Sequence, residues 1–196
     1  MSLTAQQHFQ TQDKVTAAER RERERYLSYR WLPLKFGKHA GKTLPELMFI
    51  DPGYFYWALS EQVFPAKYVE QATIVNCRMK HMLPPRPKPD KWEFLIDLDA
   101  KKEFRDFEIV KLGSGDHGSE RGRFRFRTQH LDLSIVAGRP RAVCQKMISR
   151  IKAEFFSEAG ASLSRPDFEK FILRDRNFDL LCLENHALPG TVLRGK

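Results

Sequence analysis

The chain has 196 residues, with 34 lysine and arginine residues against 25 aspartate and glutamate residues and a formal net charge of +9 at pH 7. Hydrophobic residues form 41% of the sequence, which excludes an intrinsically disordered chain and predicts a packed core. No apolar run reaches the length of about 18 residues that a membrane-spanning helix needs, and the N-terminus lacks the apolar core of an export signal. The charge therefore favours a polyanionic partner in the cytoplasm, nucleic acid before an anionic membrane surface.

Neither the cysteines nor the histidines form a recognisable site in the sequence. The three cysteines, Cys77, Cys144 and Cys182, are far apart and lie in apolar surroundings, which is typical of buried, reduced thiols. The six histidines are dispersed, and no pair has the spacing of zinc ligands. We therefore expect neither a metal nor a cofactor.

The first 30 residues form a highly charged segment. Residues 17–27 favour a helix by propensity, but they contain few apolar residues before Tyr26. Such a helix is either solvated or a basic arm along phosphates, and its interleaved glutamates favour the first alternative. We predict a charged helical arm over residues 1–30.

A basic stretch with two glycines, KFGKHAGK, occupies residues 35–42. Its glycines permit positive φ angles and close approach of another backbone, but their spacing argues against a nucleotide-hydrolysing Walker A loop. Thr43 and Glu46 have the spacing of a capping box, so the stretch is predicted to lead into a helix and to form an anion site with exposed N–H groups. A tight turn with solvated lysines is the structural alternative. The predicted phosphate-binding residues are Lys35, Gly37, Lys38, His39, Gly41 and Lys42.

A second helix is predicted to start at residues 51–52, where an aspartate cap precedes a proline. It carries four consecutive aromatic residues at 54–57, and these cannot all face the core. We predict that Trp57 packs in the core, since large aromatic side chains usually serve packing. Tyr54 or Tyr56 is then expected near the surface, where its ring could stack on a base.

The run LKFGKHAGKTL at 34–44, followed by DPGYFYW at 51–57, resembles the small C-terminal domain of exodeoxyribonuclease X-like proteins. The likeness covers about residues 31–82, roughly a quarter of the chain. It implies a small, mainly helical unit that binds nucleic acid. The nuclease chemistry of those proteins lies in a separate N-terminal domain, which we expect to be absent because only about thirty residues precede the motif. The resemblance therefore implies binding rather than catalysis.

The proline-rich segment PPRPKP at 84–89 predicts an extended, polyproline-like connection. We therefore predict a helical module at 31–83, a linker at 84–90, a second module at 91–184 and a loose tail at 185–196.

After this segment, apolar and polar residues alternate with the period of β-strands. Strands are predicted at 92–98, 107–112 and 122–128, and helices at 141–157 and from residue 164 onward. The predicted class is α+β: a small helical N-terminal module followed by an antiparallel sheet packed with C-terminal helices.

The third predicted strand alternates arginine and phenylalanine in the sequence RFRFR. On a strand the arginines share one face and the phenylalanines the other. The arginine row is either a solvated face or a phosphate-contact surface, since three like charges on one face repel one another unless they are paired. The arginines concerned are Arg123, Arg125 and Arg127.

The favoured function is non-catalytic binding of nucleic acid, with DNA preferred to RNA and no membrane contact. One alternative is a metal-dependent nuclease, because Asp97 and Asp99 follow an apolar strand and such carboxylates can hold magnesium. Their spacing matches no two-metal motif, and strand-end aspartates commonly serve turns. The other alternative is a protein-interaction module whose charge only keeps it soluble.

Overall fold

The structure, a computed structural model, describes three ranges of residues: 29–114, 123–156 and 163–179. The chain divides into two compact units between Trp31 and Leu32. The predicted tail over 185–196 lies outside the described residues, as does the predicted arm over 1–30 apart from its last two residues. The helices and strands of the described residues all belong to the second unit.

Within the described ranges, three α-helices precede a three-stranded antiparallel sheet and two follow it, which confirms the predicted α+β class. The first helices are α1 (Leu44–Ile50), α2 (Pro52–Ser60) and α3 (Ala66–Lys80). The strands are β1 (Trp92–Asp99), β2 (Phe104–Lys111) and β3 (Arg123–Thr128), and the last helices are α4 (Arg141–Phe155) and α5 (Arg165–Leu173). Short 3-10 helices lie at Pro89–Lys91, Leu133–Val136 and Asp175–Asn177.

An aspartate cap and a proline start α2 where the sequence predicts it. The Asp51 N–H donates to the Leu47 carbonyl (2.8 Å) and so ends α1, while the Asp51 carboxylate accepts from the Tyr54 N–H (3.0 Å). Pro52 has no N–H to satisfy, which suits the first position of a helix. The two helices can therefore follow one another with a single residue between them.

The sheet has the strand order β2-β1-β3, so β1 is its central strand. One face carries Phe94, Ile96 and Phe107, all buried, and α4 packs on this face with the ring of Phe155 stacked 6.4 Å from that of Phe94. Phe126 lies opposite Ile96 on the same face but is 44% exposed, because α4 packs over β2.

The helices on either side of the proline-rich segment share one core. Phe49 of α1 is fully buried, and its ring centroid lies 4.8 Å from that of Phe168 and 5.4 Å from that of Phe171, both on α5. Gln145 of α4 donates its side-chain amide to the Ile50 carbonyl at the end of α1 (2.8 Å). The apolar face of α1 is therefore buried by the C-terminal helices.

The proline-rich segment is itself part of this packing. Pro84 is buried, and Arg86 donates to the Glu154 carboxylate of α4 (3.0 Å). The predicted boundary at 84–90 does not coincide with a structural division, because residues from both sides of it are needed to bury α1. The two predicted modules, 31–83 and 91–184, do not have separate cores.

An arginine on α3 ties this helix to the end of α5. Arg78 is only 5% exposed, and it donates to the Ile172 carbonyl (2.7 Å) and to the Asp175 carboxylate (2.8 Å). Its guanidinium also lies 5.3 Å from the centroid of the Phe178 ring. A buried cation with two hydrogen-bonded acceptors positions α3 against the C-terminal part of the chain.

Two of the three cysteines lie in the described residues, and both match the expectation of buried thiols. Cys77 on α3 and Cys144 on α4 are free and buried, and burial raises the pKa of both thiols. Cys182 lies outside the described residues. The helices that carry the two thiols have 15 residues each, and no described helix is long and apolar enough to cross a membrane.

Candidate nucleic-acid interface

Residues 34–42, here called the lysine loop, form a loop closed by its own backbone. The Leu34 N–H donates to the Lys42 carbonyl (2.8 Å), and the Gly41 N–H donates to the Leu34 carbonyl (2.7 Å). The N–H groups of Ala40 and Lys42 also bond within the loop, at 3.2 and 3.1 Å. The three successive N–H groups of residues 40–42 are therefore occupied, so the prediction that the loop exposes its amides to an anion is wrong for these residues. The formal positive charge of the loop is carried by the side chains of Lys35, Lys38 and Lys42.

The two glycines of the lysine loop have positive φ angles but different surroundings. Gly37 has a φ of +68°, and a Cβ atom there would lie 2.8 Å from the Tyr54 hydroxyl oxygen. Gly41 has a φ of +83° and open space around it, and its carbonyl accepts a hydrogen bond from Arg165 (2.6 Å). Only Gly37 therefore has a close contact, and this contact is with a side-chain hydroxyl, whereas the sequence predicts close approach of another backbone at both glycines.

Asp51 joins the lysine loop to α2. Its Oδ2 atom accepts hydrogen bonds from Lys38 Nζ (2.8 Å) and pairs with His39 Nε2 (3.0 Å), while its Oδ1 atom caps the helix. Burial alone would raise the pKa of the Asp51 carboxyl, but the bonds from the lysine, the helix amide and the histidine hold it below its usual range. The carboxylate therefore stays charged at neutral pH and fixes the loop.

Glu46 joins the other end of the loop to the C-terminal helix α5. Its carboxylate accepts from Lys42 (2.6 Å) and from Arg165 (3.1 Å), and its side chain is only 8% exposed. Thr43 makes no side-chain capping bond, so the capping box predicted for Thr43 and Glu46 is wrong. The carboxylate binds two cations instead. The sequence offers no local sign of Arg165, which lies 119 residues further along the chain.

The aromatic residues of α2 are oriented differently from the prediction. Trp57, expected in the core, is 50% exposed, and its ring centroid lies 5.3 Å from that of Tyr54. Tyr56, expected near the surface, is 7% exposed, and burial raises the pKa of its hydroxyl well above the usual range. Tyr56 therefore has no free ring face for a base. The exposed aromatic residue next to the lysine loop is Trp57.

The ring of Tyr54 connects this aromatic pair to the loop. Lys38 Nζ lies 4.8 Å from the centroid of the Tyr54 ring, and the His39 ring meets its edge at 4.9 Å. The cation, the tyrosine and Trp57 therefore form one continuous surface. The contacts of Tyr54 and Asp51 with Lys38 and His39 show that the runs 34–44 and 51–57, which carry the resemblance, meet in space.

The lysines of the loop keep hydrogen-bonding capacity for an outside anion. Each ammonium group has three donors, and the ion pairs of Lys38 and Lys42 with carboxylates use one donor each. The side chains of Lys38 and Lys42 are 60% and 42% exposed, and Lys35 is exposed as well. All three can therefore reach a phosphate without leaving their present positions.

The three arginines of β3 face carboxylates of β1. Arg123 donates to Asp97 Oδ2 (2.5 Å), Arg125 lies 4.0 Å from the same oxygen, and Arg127 pairs with Glu93. Both carboxylates are 6% exposed. The predicted alternation is present, but these positive charges are directed into the protein, so the phosphate-contact role predicted for the arginines gains no support from their positions.

The aspartates of the nuclease alternative also have structural partners. Asp97 is paired with β3 as described, and Asp99 Oδ1 accepts from the N–H groups of Lys101 (2.8 Å) and Glu103 (2.9 Å) in the turn between β1 and β2. Within the described ranges, no group of three or more histidine, cysteine, aspartate and glutamate side chains is placed to hold a metal ion.

Comparison of the chain with known proteins found no matching family model, no similar curated protein and no similar solved structure. The resemblance to exodeoxyribonuclease X-like proteins therefore remains a prediction carried by the residues at 34–44 and 51–57.

We expect Gly37→Ala to lower the free energy of unfolding by about 1–3 kcal/mol and Gly41→Ala by about 1 kcal/mol. Both substitutions place an alanine at positive φ, but only the first drives a methyl group into the Tyr54 hydroxyl. Urea denaturation of both variants measures the difference. Equal losses for the two variants would show that the Tyr54 side chain moves away from the added methyl group without a further loss of stability.

Proposed function

We propose that the protein binds nucleic acid, without cutting it, through the lysine loop and the aromatic pair beside it. The observation that carries the proposal is the position of Trp57. Its ring is half exposed and packs on the ring of Tyr54, which also contacts the Lys38 ammonium group. Lysine side chains on a loop and one exposed aromatic ring supply the two contacts that a nucleic acid strand needs, one for its phosphates and one for a base.

The aromatic ring supplies the base contact. An exposed tryptophan leaves a large apolar surface in water, and a stacked base removes that surface from solvent. Base stacking on an aromatic side chain contributes about 1–3 kcal/mol per base and is tolerant of sequence. Tyr54 contacts the ring of Trp57 on one side. This contact limits the orientations that the ring can adopt, so less entropy is lost on binding.

The lysines supply the phosphate contacts. Lys38 and Lys42 are held by carboxylates, which limits their motion without removing their exposed donors. Phosphate contacts of this kind carry no sequence information, so affinity should depend on salt far more than on base sequence. Lys35 lies at the start of the same loop and extends the positive surface.

We expect Trp57→Ala to weaken binding to single-stranded DNA by about 5- to 150-fold, the equivalent of losing one stacked base. Fluorescence anisotropy with single- and double-stranded DNA and RNA, with and without magnesium, measures the affinity and reveals any cutting. The matched control is Val69→Ala on α3, because Val69 is also a 50% exposed apolar residue. Cutting that requires magnesium would replace the proposal with the nuclease alternative.

The charge contribution is tested in the same assay. The double variant Lys35→Ala/Lys38→Ala should weaken binding to all sequences alike and flatten the log–log salt dependence by about 1.4–1.8 units. The control variant Lys101→Ala/Arg105→Ala loses the same charge from exposed positions in and after the β1–β2 turn. Equal effects of the two double variants would mean that net charge, and not the lysine loop, governs binding.

A further inference from the structure

A cleft of 740 Å³ opens between the proline-rich segment and the C-terminal helices. One wall is formed by the prolines at 84–87 and by Arg86, which is held in place by Glu154. Phe155 and Phe156 line the cleft and are only half-buried. Its volume falls within the range of about 300–1,000 Å³ that is typical of sites for small molecules.

The rim of the cleft is positive. Lys170, Arg174 and Arg176 line it and are exposed, and none of them forms an ion pair with another described residue. Asp167 also lines the cleft, and its Oδ2 atom accepts hydrogen bonds from the N–H (2.8 Å) and the hydroxyl (2.5 Å) of Ser164. These bonds, followed by the charges of Lys170 and Arg174, hold the pKa of its carboxyl below the usual range. The three exposed cations outnumber this one carboxylate, so the rim keeps a net positive charge toward an anion that enters from solvent.

We propose that this cleft binds one nucleotide of a single-stranded nucleic acid, with the phosphate at the rim cations and the base against the phenylalanine rings and the proline wall. The inference rests on the proposed function, since it names a second contact for the strand that the lysine loop binds. Prolines and phenylalanines offer flat apolar surfaces to a base, and lysine and arginine side chains offer donors to a phosphate. A purely apolar ligand would leave the rim cations without a partner, and an anion without an apolar surface would leave the rings without one.

Helix α5 connects the two contacts. Arg165 at its first position bonds the Gly41 carbonyl and the Glu46 carboxylate of the lysine-loop region, and Lys170 and Arg174 lie at its other end. Nine helical residues span about 13 Å, which is the length of about four nucleotides at the duplex spacing of about 3.4 Å per strand. One strand of moderate length can therefore reach both contacts.

The cleft selects a single strand over a duplex. A paired base shows only its edges in the grooves, and its flat faces are covered by the neighbouring bases of the stack. An unpaired base can turn out of the strand and place a face against the rings of the cleft. Two contacts on one strand also raise the affinity through the effective concentration of the second contact, which requires a strand long enough to span both.

The test uses the full-length protein and the double variant Lys170→Ala/Arg174→Ala. We expect this variant to bind a 12-nucleotide oligothymidylate at least tenfold more weakly and to bind a 12-base-pair duplex within twofold of the unmodified protein. The control Lys101→Ala/Arg105→Ala removes the same charge near the opposite end of β1 from the proline-rich segment and should bind both ligands within twofold. Titration with thymidine 5′-monophosphate should shift the NMR signals of residues 84–87 and 170–176.

The possible outcomes separate this inference from the proposed function. If Lys170→Ala/Arg174→Ala binds the oligothymidylate normally while Lys35→Ala/Lys38→Ala weakens binding, the cleft inference is wrong and the lysine-loop proposal stands. If the unmodified protein binds no nucleic acid, both are wrong. The inference would also be wrong if thymidine 5′-monophosphate shifted NMR signals of other residues but none of those that line the cleft. All substituted side chains are exposed, so circular dichroism should show an unchanged fold.

Discussion

Phe49→Ala should lower the free energy of unfolding by about 3–5 kcal/mol, one of the largest effects expected for a single substitution in this chain. Phe49 is fully buried, and its ring contacts the rings of Phe156, Phe168 and Phe171. Truncation leaves a cavity among rings that are held by other contacts, so the site cannot collapse to fill it. Urea or thermal denaturation of the full chain measures the loss.

The matched control is Phe124→Ala, which removes a ring that is 47% exposed and should cost well under half as much. The same packing predicts that a fragment ending at residue 83 does not melt cooperatively, because it lacks the partners of Phe49. A cooperative melt of that fragment would show that the helices at 44–80 have a sufficient core of their own.

Arg78→Met should destabilise the protein by about 3 kcal/mol or more. The substitution keeps most of the apolar stem but removes the donors to the Ile172 carbonyl and the Asp175 carboxylate. The carboxylate is about one-third exposed, which places the expected loss at the lower end of the range for a broken buried ion pair. Denaturant unfolding at neutral pH measures it.

Lys80→Met is the control for this prediction, because it removes a cation two residues away on the same helix. Lys80 is less buried than Arg78 and makes no ion pair with a described residue, so its loss should change the free energy of unfolding by about 0.5 kcal/mol or less. Similar losses for the two variants would show that Arg78 contributes only its charge to the fold.

Local sequence signals predicted the elements of the fold well. The aspartate and proline at 51–52 fixed the start of α2, and the period-two pattern placed the first strand at 92–98, against 92–99 in the structure. Such signals depend on neighbouring residues only. The shared core of α1 and α5 depends on contacts between residues more than one hundred positions apart, and no local pattern reports these.

The candidate site was predicted in part. The likeness at 34–44 and 51–57 brought together residues that do meet in space, with Asp51 and Tyr54 as the links. The exposure of Trp57 was not predicted, because four consecutive aromatic residues leave the rotation of the helix undetermined until its neighbours are known. The cleft beside the proline-rich segment was also missed, since a run of prolines indicates an extended backbone but not the helices it packs against.

The ion pairs between β3 and β1 also determine how the third strand aligns with the sheet. Phe124 and Phe126 are nearly half exposed, so burial of their rings discriminates only weakly between one alignment and the next. A slip by one residue would turn the arginines to the opposite face and leave Asp97 and Glu93 buried without cations from β3. The cost of those two uncompensated carboxylates excludes the shifted pairing, so electrostatics selects the register here.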